Sequence, residues 1–100
     1  MSKELQELLS SQASIIDDAK RVLNNFKKDG PTRYSKDYFV KRMNQIRELS
    51  RRFNTNHSQL TRSKLPIDDK YFEETFKHGQ EQIGSSLIYI ESKYDEWKKD

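Results

Sequence analysis

The sequence predicts an all-α domain, an antiparallel up-down-up three-helix bundle. Two observations carry that prediction. Apolar side chains recur every three or four residues along most of the 100-residue chain, the period of a helix with one buried face. The recurrence is broken at two places, Asp29-Gly30-Pro31 and Leu65-Pro66, by residue types that end helices. Three amphipathic helices joined by short links bury their stripes most economically by folding back on one another.

The first helix is expected over about residues 2–28. Leu5, Leu9, Gln12, Ile16, Ala19, Leu23 and Phe26 form its stripe, interrupted only by Gln12, and Leu8, Ile15 and Val22 widen it. A stripe this wide suits a helix with two neighbours better than a two-stranded seam. Gly30 is placed to terminate the helix, and Lys27 and Lys28 favour the negative end of its dipole.

The second helix is expected over about residues 36–62. Ser35 is its N-cap candidate, with Asp37 in the first turn. Phe39, Met43, Ile46, Leu49, Phe53, His57 and Leu60 trace the buried face, while the polar run Asn54 to Ser58 predicts fraying or a bend. The third helix is expected over about residues 68–98, after Pro66 and with Asp68 and Asp69 at its start. Its face is Phe72, Phe76, Gly79, Ile83, Leu87, Ile90, Tyr94 and Trp97. Gly79 and Gly84 each weaken a helix interior by roughly 1 kcal/mol relative to Ala, so they mark either close helix contact or a kink.

Leu, Ile, Val and Phe make up 22 residues, just above the roughly one-fifth below which chains tend to stay disordered. The core is therefore thin, and a partner that covered more apolar surface would stabilise it. Cysteine is absent, which removes disulfides, thiolate metal sites and cysteine nucleophiles. Cysteine absence fits a reducing compartment, and the expected location is intracellular, cytoplasmic or nuclear. No run approaches the ~18 apolar residues of a membrane span, and the start of the chain, with Glu4 and Glu7, does not resemble a signal peptide. Without such a signal the sequon Asn56-His57-Ser58 reads as accidental. The ending Glu96-Trp97-Lys98-Lys99-Asp100, still in helical register, reads as the edge of an N-terminal domain in a longer protein.

Charge is unevenly spread. Residues 31–64 hold nine basic and two acidic side chains, whereas residues 65–100 hold five basic and nine acidic ones. The basic helix either faces nucleic acid or an acidic membrane surface, or lies beside the acidic third helix. The second arrangement is favoured because the acidic partner is already in the chain. Lys41, Arg51 and Arg52 are the cations expected to project to solvent, with Arg47 beside them on the same helix. No sequence-reading nucleic-acid motif accompanies them.

No catalytic constellation assembles in the sequence. Three glycines make no phosphate loop, and His57 and His78 lack partners at metal-ligand spacing. His57 reads as a bundle-edge residue. The adjacent acids Asp17-Asp18, Asp68-Asp69 and Glu73-Glu74 point about 100° apart on a helix and do not converge. No serine stands in a nucleophile elbow. The expectation is a non-enzyme with no cofactor, no metal and no small-molecule substrate. Among the aromatics, Tyr94 and Trp97 fit the core stripe. Tyr38 and Tyr89 fall beside the stripes, where they either shield the bundle edge or face a partner. The candidate interaction surface is thus Tyr38, Lys41, Arg47, Arg51, Arg52 and Tyr89.

The run Tyr38-Phe39-Val40-Lys41-Arg42, then Ile46, Phe53-Asn54, His57 and Leu60, then Asp68-Asp69-Lys70-Tyr71-Phe72, resembles the N-terminal helical region of Gag polyproteins of insect LTR retrotransposons, the BEL/Pao type. The resemblance spans about residues 15–97 and is carried by common helix-forming residues. The sequence departs from whole Gag proteins in having no zinc knuckle, no protease motif and no capsid region. The resemblance implies a fragment of such a polyprotein, or a host protein derived from one. It further implies self-association and assembly with weak RNA or membrane-surface contact, and a scaffold role for Phe39, Ile46, Phe53, Leu60 and Phe72. The expected partner is a protein, foremost a second copy in a dimer, with weak RNA or DNA contact as the alternative.

Overall fold

The computed structural model describes residues 3–62 and 69–99. Helix α1 spans Lys3–Asp29, α2 spans Lys36–Arg62 and α3 spans Asp69–Lys99, with one 3-10 turn, Pro31–Arg33, between the first two. The expected ends at 28 and 98 each fall one residue short. The starts expected at residues 2 and 68, the Leu65-Pro66 break and Asp68 lie outside the described residues.

Side-chain contacts fix the topology. Asp29 at the end of α1 meets Arg42 near the start of α2, while Asn56 near the end of α2 reaches Leu8 near the start of α1. Phe39 at the start of α2 meets Tyr94 and Trp97 at the end of α3, and His57 meets Phe72 and Phe76 near its start. Each successive pair is therefore antiparallel, and the result is an up-down-up bundle about 52 Å long.

Local chemistry sets the turn between α1 and α2. Gly30 has φ +74° and ψ 176°, a region that is essentially closed to residues with a Cβ. That conformation stops α1 after Asp29, and Pro31 then starts the 3-10 turn with φ already fixed for it. Ser35 caps α2, its Oγ accepting from the Tyr38 amide at 3.1 Å, which satisfies one of the donors a helix start leaves open.

The core combines Ile15, Ile16, Ala19 and Phe26 of α1 with Phe39, Met43, Ile46, Leu49 and Phe53 of α2 and Ile83 and Ile90 of α3. Three expectations need correction. First, Gln12 does not break the stripe. It is 1% exposed, and neither its Oε1 nor its Nε2 has a hydrogen-bond partner among the described residues. Second, α2 does not fray over Asn54 to Ser58 but stays helical through them. Asn56 is buried and its Nδ2 donates to the Leu8 carbonyl at 2.9 Å, and the His57 ring stacks on Phe76 at 3.6 Å and Phe72 at 4.6 Å. These polar residues are anchored to the neighbouring helices. The same bond occupies the amide that the sequon would glycosylate. Third, Trp97 is 37% exposed rather than core. Phe26 lies against Tyr89, so α1 ends about one turn later and the last turns of α3 run past it. Trp97 is left with Phe39 and Tyr94 on one side.

The two glycines of α3 behave differently. A Cβ at Gly79 would approach Phe53 Cε2 to 2.6 Å and Ile16 Cδ1 to 3.1 Å, whereas nothing lies within 4 Å of one at Gly84. Gly79 is thus a point of close three-helix contact, and α3 is unbroken through both.

Candidate interaction surface

The six candidate residues have different surroundings. Tyr38 and Tyr89 are half-buried in an aromatic cluster around Phe26, at ring-centroid distances of 6.0 and 6.1 Å. The Tyr38 hydroxyl donates to Asp29 Oδ2 at 2.6 Å, and Arg42 Nη2 donates to the same oxygen at 2.8 Å. The Tyr38 bond, reinforced by Arg42, holds the Asp29 carboxyl below its ordinary pKa, and burial raises the Tyr38 phenol. Tyr89 carries Lys27 and Lys93 ammonium groups over its ring at 4.8 and 5.6 Å. Both tyrosines therefore have most of their surface engaged within the chain.

Arg47 projects toward α3, where Nη2 reaches Glu91 Oε1 at 3.4 Å. It is the one cation of α2 in an ion pair with α3 among the described residues. Arg51 instead pairs within α2, Nε donating to Glu48 Oε2 at 3.1 Å, and this contact lowers the Glu48 pKa.

Lys41 and Arg52 are eleven positions apart on the flank of α2 that faces α1, and Arg51 lies beside Arg52, lining with it a second, smaller pocket against Ser11 and Ile15 of α1. Together with Arg21, Val22 and Asn25 of α1 and Arg42, Gln45 and Leu49 of α2, Lys41 and Arg52 line an open groove of about 690 Å³. Val22 and Leu49 belong to the apolar stripes and give it an apolar floor. Its two carboxylates, Asp18 and Glu48, are already matched by Arg21 at 3.2 Å and by Arg51. Lys41 and Arg52 are exposed and in no ion pair among the described residues. The lining contributed by α1, above all Arg21 and Asn25, was not among the expected site residues. Only the helix pairing brings it beside Lys41 and Arg52.

Among the described residues no three His, Asp or Glu side chains group to hold a metal ion. No described helix is long and apolar enough to cross a membrane. No family model, curated protein or solved structure matches the chain.

Proposed function

We propose that this chain is a non-catalytic protein-interaction and self-association domain, an assembly module of the Gag-like kind its sequence resembles. The observation that supports this most is the groove between α1 and α2, with its apolar floor and the cations Lys41 and Arg52 at its rim. A floor of this kind gains from being covered, because removing apolar area from water is favourable by about 25 cal/mol per Å². The thin core makes that gain matter. Leu9, Leu23, Phe76, Leu87 and Tyr94 remain only half-buried in the single chain. Size-exclusion chromatography with light scattering, run up to high micromolar concentration, tests the reading. A mass that grows with concentration is the expected result, and a strict monomer throughout removes homotypic association.

The second reading is a nucleic-acid-binding domain using α2. It is favoured by Arg21, Lys41, Arg42 and Arg52 lining one groove. Phosphate contacts would make affinity fall steeply with salt. The apolar floor beneath those cations, Val22 and Leu49, weighs against a polyanion and toward a protein surface. Changing Arg47, Arg51 and Arg52 to Glu together separates the cases. Loss of RNA binding in a folded protein supports the second reading, and no gel shift at low salt with the unaltered chain removes it.

A further inference from the structure

We infer that the groove between α1 and α2 receives the outward face of α3 from a second copy, so that copies join head to tail. The inference rests on the self-association reading and specifies its surfaces.

The outward face of α3 offers a matching pattern. Ile88 is 66% exposed, the most exposed large apolar side chain among the described residues. Glu81 and Asp95 stand seven residues before and after it and are also exposed. Two turns of helix return nearly to the same direction, so the three form one row, acid, Ile, acid. Ser85 and Ser92 flank Ile88 and are exposed, and their small size lets another helix approach closely. The one cation between Glu81 and Asp95 is Lys93, whose Nζ is turned over the Tyr89 ring.

The groove has the complementary order. Lys41 and Arg52 are eleven residues apart on α2, about 16 Å along its axis, and Leu49 and Gln45 lie between them. Glu81 and Asp95 are about 21 Å apart by the same rise per residue, a difference that the flexible Lys and Arg stems span. Ile88 then meets Val22 and Leu49, and each acid meets a rim cation. A phosphate strand would satisfy the cations but would leave the apolar floor wet.

The two surfaces lie on different sides of the bundle. One copy can thus offer its α3 face while its own groove stays open to a third. Such a heterologous contact continues as an open chain or closes as a ring, unlike a two-fold dimer.

Sedimentation velocity on the full 100-residue chain and two variants tests this. Ile88→Asp removes the apolar centre of the α3 face, and Lys41→Glu/Arg52→Glu reverses the groove rim. Circular dichroism verifies that each keeps its helices. Each variant alone should weaken association by roughly tenfold or more, as expected for a central interface anchor. Mixed in equal amounts they should form a complex that stops at two chains, because one intact groove then meets one intact α3 face. The four-fold variant Lys41→Glu/Arg52→Glu/Glu81→Lys/Asp95→Lys, with both charge patterns reversed, should regain self-association. If the unaltered chain associates and the two variants associate equally well, the assigned surfaces are wrong while self-association stands. If both variants lose association but the mixture stays monomeric, the contact is not head to tail. An unaltered chain that stays monomeric overturns both, and salt-sensitive RNA binding lost in the groove variant would then assign the groove to nucleic acid.

Discussion

The Phe53 ring occupies the space that a side chain at position 79 would need. Phe53 is 1% exposed, and a Cβ on Gly79 would stand 2.6 Å from its Cε2, with Ile16 Cδ1 close behind. The glycine lets α3 approach α2 and α1 at the level where the Phe76 ring stacks on Phe53, nearly parallel to it at 5.5 Å.

Gly79→Ala and Gly84→Ala should therefore move stability in opposite directions. Overpacking at residue 79 should cost about 1–3 kcal/mol, which exceeds the gain in helix propensity. At residue 84 nothing lies within 4 Å, and the propensity gain of about 0.5–1 kcal/mol should appear undiminished. Urea midpoints of the two variants check this.

Gln12 is buried with both side-chain polar atoms unpartnered among the described residues. Burying an unsatisfied amide costs about 1–3 kcal/mol. Gln12→Leu, close in volume and in line with the stripe, should raise stability by about that amount in chemical denaturation. A destabilised variant would show that the amide is in fact satisfied.

The Tyr38–Asp29–Arg42 cluster should contribute to acid sensitivity. The folded-state pKa of Asp29 is lowered, so its contribution is complete above the unfolded value of about 3.9. The contribution is lost as pH falls through the lower folded value. Asp29→Asn should destabilise the domain at neutral pH and flatten the acid limb of the stability profile, as followed by denaturation midpoints across pH.

His57 acts in a higher pH window. Burial lowers its pKa, and its Nδ1 is buried without a partner among the described residues. The unfolded chain therefore binds the proton first. Stability should be full above about pH 6.5, decline as pH falls toward the lower folded pKa, and level off beneath it. His57→Phe, which keeps the stacking on Phe72 and Phe76, should lose that decline when urea midpoints are compared on either side of the window.

Much of the fold was legible because the spacing of apolar residues and the cap chemistry act locally. Phe39, Met43, Ile46, Leu49, Phe53 and Leu60 are buried as their spacing requires, and Gly30 and Ser35 stop and start helices as their types predict. The exceptions depend on a neighbouring helix. Asn56 reads as polar until the Leu8 carbonyl is opposite it. Trp97 reads as core until α1 proves too short to cover it. Tyr38 and Tyr89, equally suited to shielding or binding, are drawn inward by Phe26 and Asp29. The groove was the least legible feature, because Arg21 and Asn25 are on a different helix from Lys41 and Arg52.

If the groove between α1 and α2 receives another copy of the chain, both contact surfaces should respond to concentration. A dilution series followed by amide-resolved NMR reads out that response residue by residue. Resonances of Gln45, Leu49 and Arg52 in the groove, and of Ser85, Ile88 and Ser92 on α3, should shift together as concentration rises. His57 and Phe72, stacked on each other at the other end of the bundle, should stay fixed. Spectra unchanged up to high micromolar concentration, or shifts confined to the His57 end of the bundle, would rule out the groove as that surface.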